Sequence, residues 1–544
     1  MPTWRADWNG ELTGDHEARS AITEGRTALG IEFGSTRIKA VLIDQDHTPL
    51  AEGSHSWENQ FVDRLWTYSV DSVRAGLQDC FSSLAADVRR RYLVDLTTVG
   101  ALGVSGMMHG YLAFDAGGRL LVPFRTWRNT NTGAAVERLS EALNYNIPHR
   151  WSIAHLYQAI LDGEEHVGRV AHITTLAGYV HWQLTGERVL GIGDASGMFP
   201  IDTTTGDYDA RMLVKVDDLA ARHGFTSSLA DLLPVIRRAG EHAGALTAAG
   251  ARLLDPSGTL QAGAPACPPE GDAGTGMVAT NSVAPRTGNV SAGTSIFAMV
   301  VLEHELSRVH PQLDLVTTPA GDLVAMAHCN NGASEIDSWA GLFAQFAAAS
   351  GAEPDINSVF ETLFRAALEG APDGGGLMAF NYLSGEPITG LAEGRPLFLR
   401  SPGSTLDLAT FMRTQLYAAL ATLRLGLDVL IRDENVSLDT MFAHGGLFTT
   451  KGVAQRFLAA AIDTPVSVAA TASEGGPWGM AVLAAYLIHR APDQTLADYL
   501  TVRVFADADV DEIKPDPTDV AGFNAFIERY LEAMPVQRAA VAHS

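Results

Sequence analysis

The stretch 28-ALGIEFGSTRIKAVLID-44 constrains the fold more than any other part of the chain. Two apolar, β-rich runs flank the turn Gly34-Ser35-Thr36, and an acidic residue, Glu32, stands just before it. This pattern predicts a β-hairpin. A glycine and two hydroxyl residues expose N–H and hydroxyl donors in one concavity, which is typical of an anion-binding nest, although a plain hairpin turn fits the same pattern.

A second stretch of the same design, 288-GNVSAGTSIFAMVVLE-303, follows about half a chain later. Here the turn is Gly293-Thr294-Ser295, again between two apolar runs. The repeated order of strand, glycine, two hydroxyl residues and strand indicates two related halves. If both turns bind anions, they would hold the phosphates of one nucleotide from two sides.

The composition limits the class of protein. A chain of 544 residues is long enough for two domains of roughly 200–250 residues each. Its net charge of −25 argues against nucleic-acid or membrane partners and leaves small molecules. The three cysteines, Cys80, Cys267 and Cys329, form no pairing motif, which favours a reducing cytoplasm. No membrane span of about 18 apolar residues and no signal peptide are visible.

The remaining pattern is α/β. Helical spacing covers residues 70–98, 169–186, 404–433, 453–462 and 479–490, and short apolar strands fall at 98–106 and 439–446. Glycine turns follow the strands, which is where open α/β sheets bind ligands. A Walker-type ATPase is excluded, because none of the four lysines follows a glycine.

Segments along residues 28–490 together resemble the FGGY carbohydrate kinases of the actin/hexokinase/Hsp70 ATPase superfamily. In chain order they are Ile31–Thr36 with Lys39, Gly103–Gly110, Trp127–Asn129, Asp194–Gly197, Gly271–Gly276, Ser291–Ser295, Asn381–Glu386, His444–Gly446 and Ser473–Gly475. No single motif is decisive, but their order and spacing make the resemblance specific.

The resemblance implies an α/β fold of two ribonuclease-H-like (actin-like ATPase) domains with an interdomain cleft. Residues 28–270 would form the N-terminal domain, with the sugar site and the first phosphate hairpin. Residues 271–515 would form the C-terminal domain, with the second phosphate hairpin and the adenosine site. Residues 1–27 would be a polar, loosely docked extension, and residues 516–544 a C-terminal helix or tail.

The resemblance also implies roles for individual residues. Asp272 would be the general base and contact the substrate, and with Glu32 it would hold Mg²⁺ beside the ATP. The substrate would also meet Met108, His109 and Trp127. The ATP would be bound by the two turns and the adenosine loop, that is Gly34, Ser35, Thr36, Gly293, Thr294, Ser295, Gly445 and Gly446.

Structural alternatives remain open for several of these residues. Asp272 is also a good helix cap, and Glu32 also fits a solvated acid at a strand end. For Trp127, core filling is the favoured interpretation over stacking on a sugar face. For Asp194, and for Asn330 with Asn331, loop geometry is the favoured interpretation.

Three positions depart from the family pattern, and the last two put the particular sugar in doubt. Glu32 stands where the family usually has Asp, Arg128-Asn129 replace Asn-Asp, and His444 takes a position that is often Gly. The resemblance favours ATP-dependent phosphorylation of D-xylulose to D-xylulose 5-phosphate. L-Ribulose, a pentitol or other polyol, and gluconate are alternative substrates, and a non-catalytic ATP-binding regulator is an alternative function. A homodimer is left open.

Overall fold

A computed structural model describes residues 12–469, 475–508 and 510–543. The chain divides into two compact units. The first comprises Met1–Val283, Val316–Asp322 and Glu474–Asp507, and the second comprises Ala284–Leu315, Leu323–Ser473 and Ala508–Ser544. The units therefore differ from the predicted domain limits of 28–270 and 271–515, because the helix that begins at Asp272 and a late helix from Gly475 both pack in the first unit.

The strands are β1 (Ala28–Phe33), β2 (Arg37–Ile43), β3 (Pro49–Ser56), β4 (Gln60–Val62), β5 (Leu65–Thr67), β6 (Ala101–Gly106), β7 (Leu112–Phe114), β8 (His172–Thr174), β9 (Val189–Gly191), β10 (Ile201–Asp202), β11 (Asp207–Tyr208), β12 (Val235–Arg237), β13 (Glu270–Gly271), β14 (Thr287–Ala292), β15 (Ile296–Val301), β16 (Leu313–Thr317), β17 (Leu323–Cys329), β18 (Leu377–Asn381), β19 (Pro396–Arg400), β20 (Thr440–His444), β21 (Val466–Ala469) and β22 (Val510–Ile513).

The helices are α1 (Leu12–Thr23), α2 (Val70–Tyr92), α3 (Gly133–Leu143), α4 (Ser152–Leu161), α5 (Leu176–Thr185), α6 (Ile192–Ala195), α7 (Ala210–Ala221), α8 (Leu229–Leu232), α9 (Ala248–Leu254), α10 (Asp272–Ala279), α11 (Ser334–Ala349), α12 (Ile356–Ala367), α13 (Leu408–Asp428), α14 (Val453–Ile462), α15 (Gly475–His489), α16 (Leu496–Tyr499) and α17 (Pro517–His543).

The first unit is built on a five-stranded sheet in the order β13-β6-β1-β2-β3. β1 pairs antiparallel with β2 and parallel with β6, and β6 pairs parallel with β13. Helix α15 packs so closely on β1 that a Cβ at Gly30 would overlap the backbone of Ala481. Because β1, β6 and β13 run parallel, they end at one edge of the sheet, and residues 34, 107 and 272 follow them there.

The second unit is built on a seven-stranded sheet in the order β16-β17-β15-β14-β20-β21-β22. Its central part, β17-β15-β14-β20, repeats the arrangement of β3-β2-β1-β6, with two antiparallel pairings and one parallel pairing in each. The two hairpins thus occupy equivalent places in their own sheets, as two related halves predict.

Most predicted elements are present, with local differences. Both hairpins, the strand ending at residue 106 and the helix at 453–462 are confirmed. Residues 172–174 form a strand within the predicted helix 169–186, whose end at Gly186 is confirmed by a φ of 84°. The helix predicted over 479–490 begins four residues earlier than predicted, at Gly475. Residues 473 and 474 lie outside the described residues.

The N-terminal extension also differs from its prediction. Helix α1 docks on the first unit through Ile22, which is fully buried. Of the described helices, one stretch, Leu408–Asp433, is long and apolar enough to cross a membrane, but 78% of its apolar window is buried inside the fold. That stretch therefore forms part of the core of the second unit.

Candidate active site

The first hairpin turn has its carbonyl groups occupied and its N–H groups open. The Trp57 indole N–H donates to the Gly34 carbonyl at 2.8 Å, and the Tyr68 hydroxyl donates to the Ser35 carbonyl at 2.6 Å. Trp57 and Tyr68 stack on each other at 4.1 Å. Among the described residues, no acceptor takes the N–H groups of Ser35 and Thr36. The turn is therefore held open as an anion nest. The sequence gives no local signal for the two aromatic anchors.

The second hairpin turn is anchored in a similar way by backbone groups. The Gly332 N–H donates to the Thr294 carbonyl and the Ala333 N–H donates to the Gly293 carbonyl, both at 2.8 Å. Within the described ranges, the N–H groups of Thr294 and Ser295 have no acceptor. This turn also presents donors at the end of its sheet, as predicted for a phosphate site.

A buried polar network fixes the loop that anchors this second turn. Glu386 is fully buried and accepts a hydrogen bond from the Asn331 side-chain amide at 3.1 Å. The Asn381 amide donates to the carbonyls of Asn331 and Gly332, both at 2.9 Å. The structural interpretation of Asn330 and Asn331 is therefore supported, and the 381–386 motif acts as a support of the second turn.

Gly445 and Gly446 follow β20, the parallel neighbour of β14. Gly445 has a φ of 104°, and a Cβ there would overlap the Ala292 carbonyl just before the second turn. A Cβ at Gly446 would meet nothing within 4 Å. The loop after β20 therefore lies directly beside the second turn, while Gly446 leaves open space.

Asp272 is the first residue of α10, directly after β13. Its Oδ1 accepts hydrogen bonds from the N–H of Met108 at 3.2 Å and of Ala273 at 3.0 Å. Burial raises the pKa of Asp272 despite these hydrogen bonds. A Cβ at Gly271 would come within 2.9 Å of the Met108 side chain, so glycine at that position lets the predicted base and the predicted sugar segment meet.

Glu32 is the residue before the last of β1, two strands from β13 in the same sheet, and the charge of Asp272 acts on its carboxyl group. Burial and then the charge of Asp272 raise the pKa of Glu32 to about 7, against a smaller lowering by Lys39. Its Oε2 is buried, and no hydrogen-bond donor reaches it from the described residues. A Cβ at Gly476 would overlap this carboxylate. Glu32 is thus no freely solvated strand-end acid.

The two carboxylates suit Mg²⁺. Within residues 12–469, 475–508 and 510–543, no three His, Cys, Asp or Glu side chains are grouped to hold a metal ion. Mg²⁺ commonly takes only one or two protein carboxylates and completes its shell with water and substrate phosphates. The unpartnered oxygen of Glu32 beside Asp272 fits that requirement.

A second carboxyl pair, Asp194 and Glu270, lies behind this edge. Asp194 accepts a hydrogen bond from the Thr175 hydroxyl at 2.6 Å, and its own N–H donates to Glu270 at 2.9 Å. A Cβ at Gly191 or Gly193 would overlap the Glu270 carboxyl group, so the two glycines form its cage. Burial raises the pKa of Asp194 to about 7 and that of Glu270 well above its usual value. The structural interpretation of Asp194 is supported. Sequence reasoning missed Glu270.

His109 is held as a neutral ring. Its Nδ1 lies 3.1 Å from the Gly197 carbonyl, which accepts, so Nδ1 carries the proton and Nε2 is left as an acceptor. Burial holds the pKa of His109 well below its usual range. A Cβ at Gly197 would lie within 2.6 Å of Nδ1, which explains the glycine there. A neutral acceptor of this kind suits a hydroxyl group.

Trp127 does not fill the core, since 37% of its surface is exposed. Thr126, just before it, donates its N–H to the Trp66 carbonyl at 3.2 Å. Asn129 accepts from the Trp66 N–H at 2.9 Å and donates to the Trp66 carbonyl at 2.8 Å. Asn129 is therefore a structural clamp, and the core-filling interpretation of Trp127 is wrong. Sequence reasoning missed Trp66.

Nearly all the predicted site residues that lie in the first unit therefore stand at one of its sheet edges: the 34–36 turn, Glu32, Met108, His109 and Asp272, although Asp272 was predicted to belong to the second domain. The predicted residues of the second half, in the 293–295 turn and at 445–446, stand at the equivalent edge of the second unit. The predicted cleft concerns both units together and stays a prediction.

A sheet edge with open N–H groups in a hairpin turn and a nearby carboxylate, in a fold of two related α/β halves, is the arrangement of the actin-like ATPase fold. The family comparison agrees: residues 27–256 match the N-terminal domain model, and residues 288–488 the C-terminal domain model, of the FGGY family of carbohydrate kinases. The chain belongs to this family, as the sequence motifs predicted.

The individual proteins compared with this chain share low sequence identity with it. The chain is 26% identical over 259 residues to an L-fuculokinase of Salmonella typhi, a match over 45% of this chain that spans about half of that protein (50%). A xylulose kinase from Rhodospirillum rubrum has a TM-score of 0.76 at 20% identity, over 94% of this chain and 99% of that one. A gluconate kinase from Lactobacillus acidophilus has a TM-score of 0.75 at 16% identity, over 95% and 98%. At these identities the structures establish the fold, and they confirm the predicted two-domain α/β class.

Proposed function

We propose that this chain transfers the γ-phosphoryl group of ATP to a primary hydroxyl of an open-chain sugar or sugar derivative. The observation that carries the proposal is the Asp272 carboxylate, which contacts the Met108–His109 segment and lies at the same sheet edge as the open first turn. D-Xylulose, phosphorylated to D-xylulose 5-phosphate, stays the first acceptor predicted from the sequence. Likeness to a xylulose kinase supports it, and likeness to a gluconate kinase supports the alternative.

The proposed chemistry follows from the groups at this edge. Asp272 accepts the proton of the attacking hydroxyl, and a raised pKa makes its carboxylate a stronger base. The N–H groups of the two turns bind phosphate oxygens and stabilise the charge that develops during transfer. His109 accepts a hydrogen bond from a substrate hydroxyl and orients it.

Glu32 and Asp272 are the residues that would hold Mg²⁺, which neutralises phosphate charge when it is bound. ATP and a small sugar are the proposed ligands. A cytoplasmic location, the absence of nucleic-acid and membrane partners, and the oligomeric state, with a homodimer as one option, stay predictions from the sequence.

The test is ADP release across ketopentoses, pentitols and aldonates by the wild-type chain and by Asp272→Asn. The variant should lose at least about 100-fold in kcat because the base is removed, while its Kd for ATP stays within a few-fold. Asp71→Asn, at an exposed position on α2, is the control. Near wild-type turnover by Asp272→Asn would refute the role of Asp272. ATP binding without transfer to any acceptor would favour the regulator instead.

A further inference from the structure

Arg128 is a cation beside the candidate sugar site that pairs with no acidic side chain in the described part of the chain. Its side chain is exposed, and no hydrogen bond or ion pair joins its guanidinium to any described residue. Instead, the guanidinium carbon lies 4.4 Å from the centre of the Trp66 ring and 5.8 Å from that of Trp127. The chain has 63 acidic and 38 basic residues, yet no described acid forms an ion pair with Arg128. Its positive charge is therefore available to a bound anion.

The backbone around Arg128 is fixed before any ligand binds. Asn129 is buried and bonded to both backbone groups of Trp66, and Thr126 is bonded to Trp66 as well. On the preceding side, Arg125 pairs with Tyr111 in an antiparallel bridge. Because the two segments run antiparallel, Trp127 and His109 lie at the same end of this bridge, and Arg128 comes next to them.

The charge of Arg128 also reaches the first phosphate turn. Burial raises the pKa of Tyr68 to about 12, and the positive charge of Arg128 opposes that rise, so the two side chains are close. The Tyr68 hydroxyl donates to the Ser35 carbonyl at 2.6 Å. Arg128 therefore lies near both Trp127 and the tyrosine that anchors the turn proposed to hold the phosphate.

A guanidinium stacked on an indole keeps its planar edge free. That edge matches a carboxylate with two parallel N–H···O bonds, which a neutral hydroxyl cannot reproduce. We propose that Arg128 binds a carboxylate on the acceptor, so that the substrate of this kinase is a sugar acid such as an aldonate. This inference rests on the proposed function and narrows its substrate class. If the acceptor is a sugar acid, D-xylulose is a poor acceptor.

The experiment measures ADP release by the full chain with aldonates of four to six carbons, each beside the alditol of the same configuration, and with D-xylulose and L-ribulose. The best aldonate should exceed its alditol in kcat/KM on the order of 100-fold. Arg128→Gln should lower kcat/KM for the aldonate by a similar factor and leave the KM for ATP within about two-fold. Arg128→Lys should recover only part of the loss, because it keeps the charge without the planar fork.

Arg188→Gln is the matched control, because Arg188 stacks on Trp182 at the same 4.4 Å but away from the candidate site. A neutral sugar as the preferred acceptor would overturn the inference and leave the kinase function intact. An equal loss with every acceptor and a raised KM for ATP in Arg128→Gln would also overturn it, by assigning Arg128 to the nucleotide. No ADP release with any acceptor would count against the proposed function. A thermal shift by aldonates that Arg128→Gln abolishes would then still support the anion site.

Discussion

Replacing Glu32 with glutamine should remove a loss of stability that the metal-free protein suffers as the pH rises. The Oε2 atom of Glu32 is buried, no described donor reaches it, and the charge of Asp272 acts on the carboxyl group. Its charged form is therefore unfavourable in the folded chain. A glutamine keeps the shape of the side chain and has no charge to bury.

The magnitude follows from the pKa. A rise from 4.5 to about 7 means that the folded state holds the proton more tightly than the unfolded state does. The stabilisation is complete below pH 4.5 and is lost as the pH rises through 7, and it amounts to about 3 kcal/mol in all. Of this, about 2 kcal/mol falls between pH 5.5 and 8.5.

The assay is urea unfolding with a chelator present, followed from about pH 5.5 to 8.5 for wild type and Glu32→Gln. The free energy of unfolding of the wild type should fall relative to the variant by about 2 kcal/mol over this range. Glu137→Gln, at an exposed position on α3, should follow the wild type. Parallel curves for wild type and Glu32→Gln would show that Glu32 is charged at little cost, and the reasoning from its burial would fail.

Two further predictions concern the phosphate turns. Tyr68→Phe removes the hydrogen bond that anchors the Ser35 carbonyl, so the KM for ATP should rise about 3- to 10-fold, in steady-state kinetics, with stability lowered by about 1 kcal/mol; an unchanged KM would mean that the turn needs no anchor. Gly445→Ala places a Cβ against the Ala292 carbonyl at a positive φ, so it should lower the melting temperature and weaken ATP binding, whereas Gly446→Ala should do neither. Equal behaviour of the two alanine variants would contradict the packing argument.

The secondary structure was largely predictable where local pattern decides it. The two hairpins and the helix at 453–462 are specified by short apolar runs and turn residues close together in the chain. The start of α15 at Gly475 was not predictable from the sequence, because its first turn, Gly475-Gly476-Pro477, has the composition of a loop. There the packing of α15 on β1 and α10 decides the structure, and the closeness of Gly476 to Glu32 leaves room only for glycine.

The site was predictable at motif residues and not at their supports. Asp272 and Met108 stand in recognisable motifs, and the structure joins them by a hydrogen bond. The cage around Glu270 could not be read from the sequence, since Gly191 and Gly193 lie nearly eighty positions before it. A functional residue can be recognised from the sequence when the residues next to it form a motif. The supporting residues contact the site from distant parts of the chain, so no local motif marks them.

The place of α15 in the first unit has a consequence for how the chain is made. This helix covers β1, and its Trp478 indole donates to the His47 carbonyl at 2.9 Å, yet most of the second unit precedes it in the chain. During synthesis, the apolar face of β1 therefore stays exposed to solvent until the chain has been synthesised as far as residue 489. A fragment that stops at the end of the N-terminal family match, near residue 256, would keep that face bare and should aggregate, so the halves cannot be separated by a single cut.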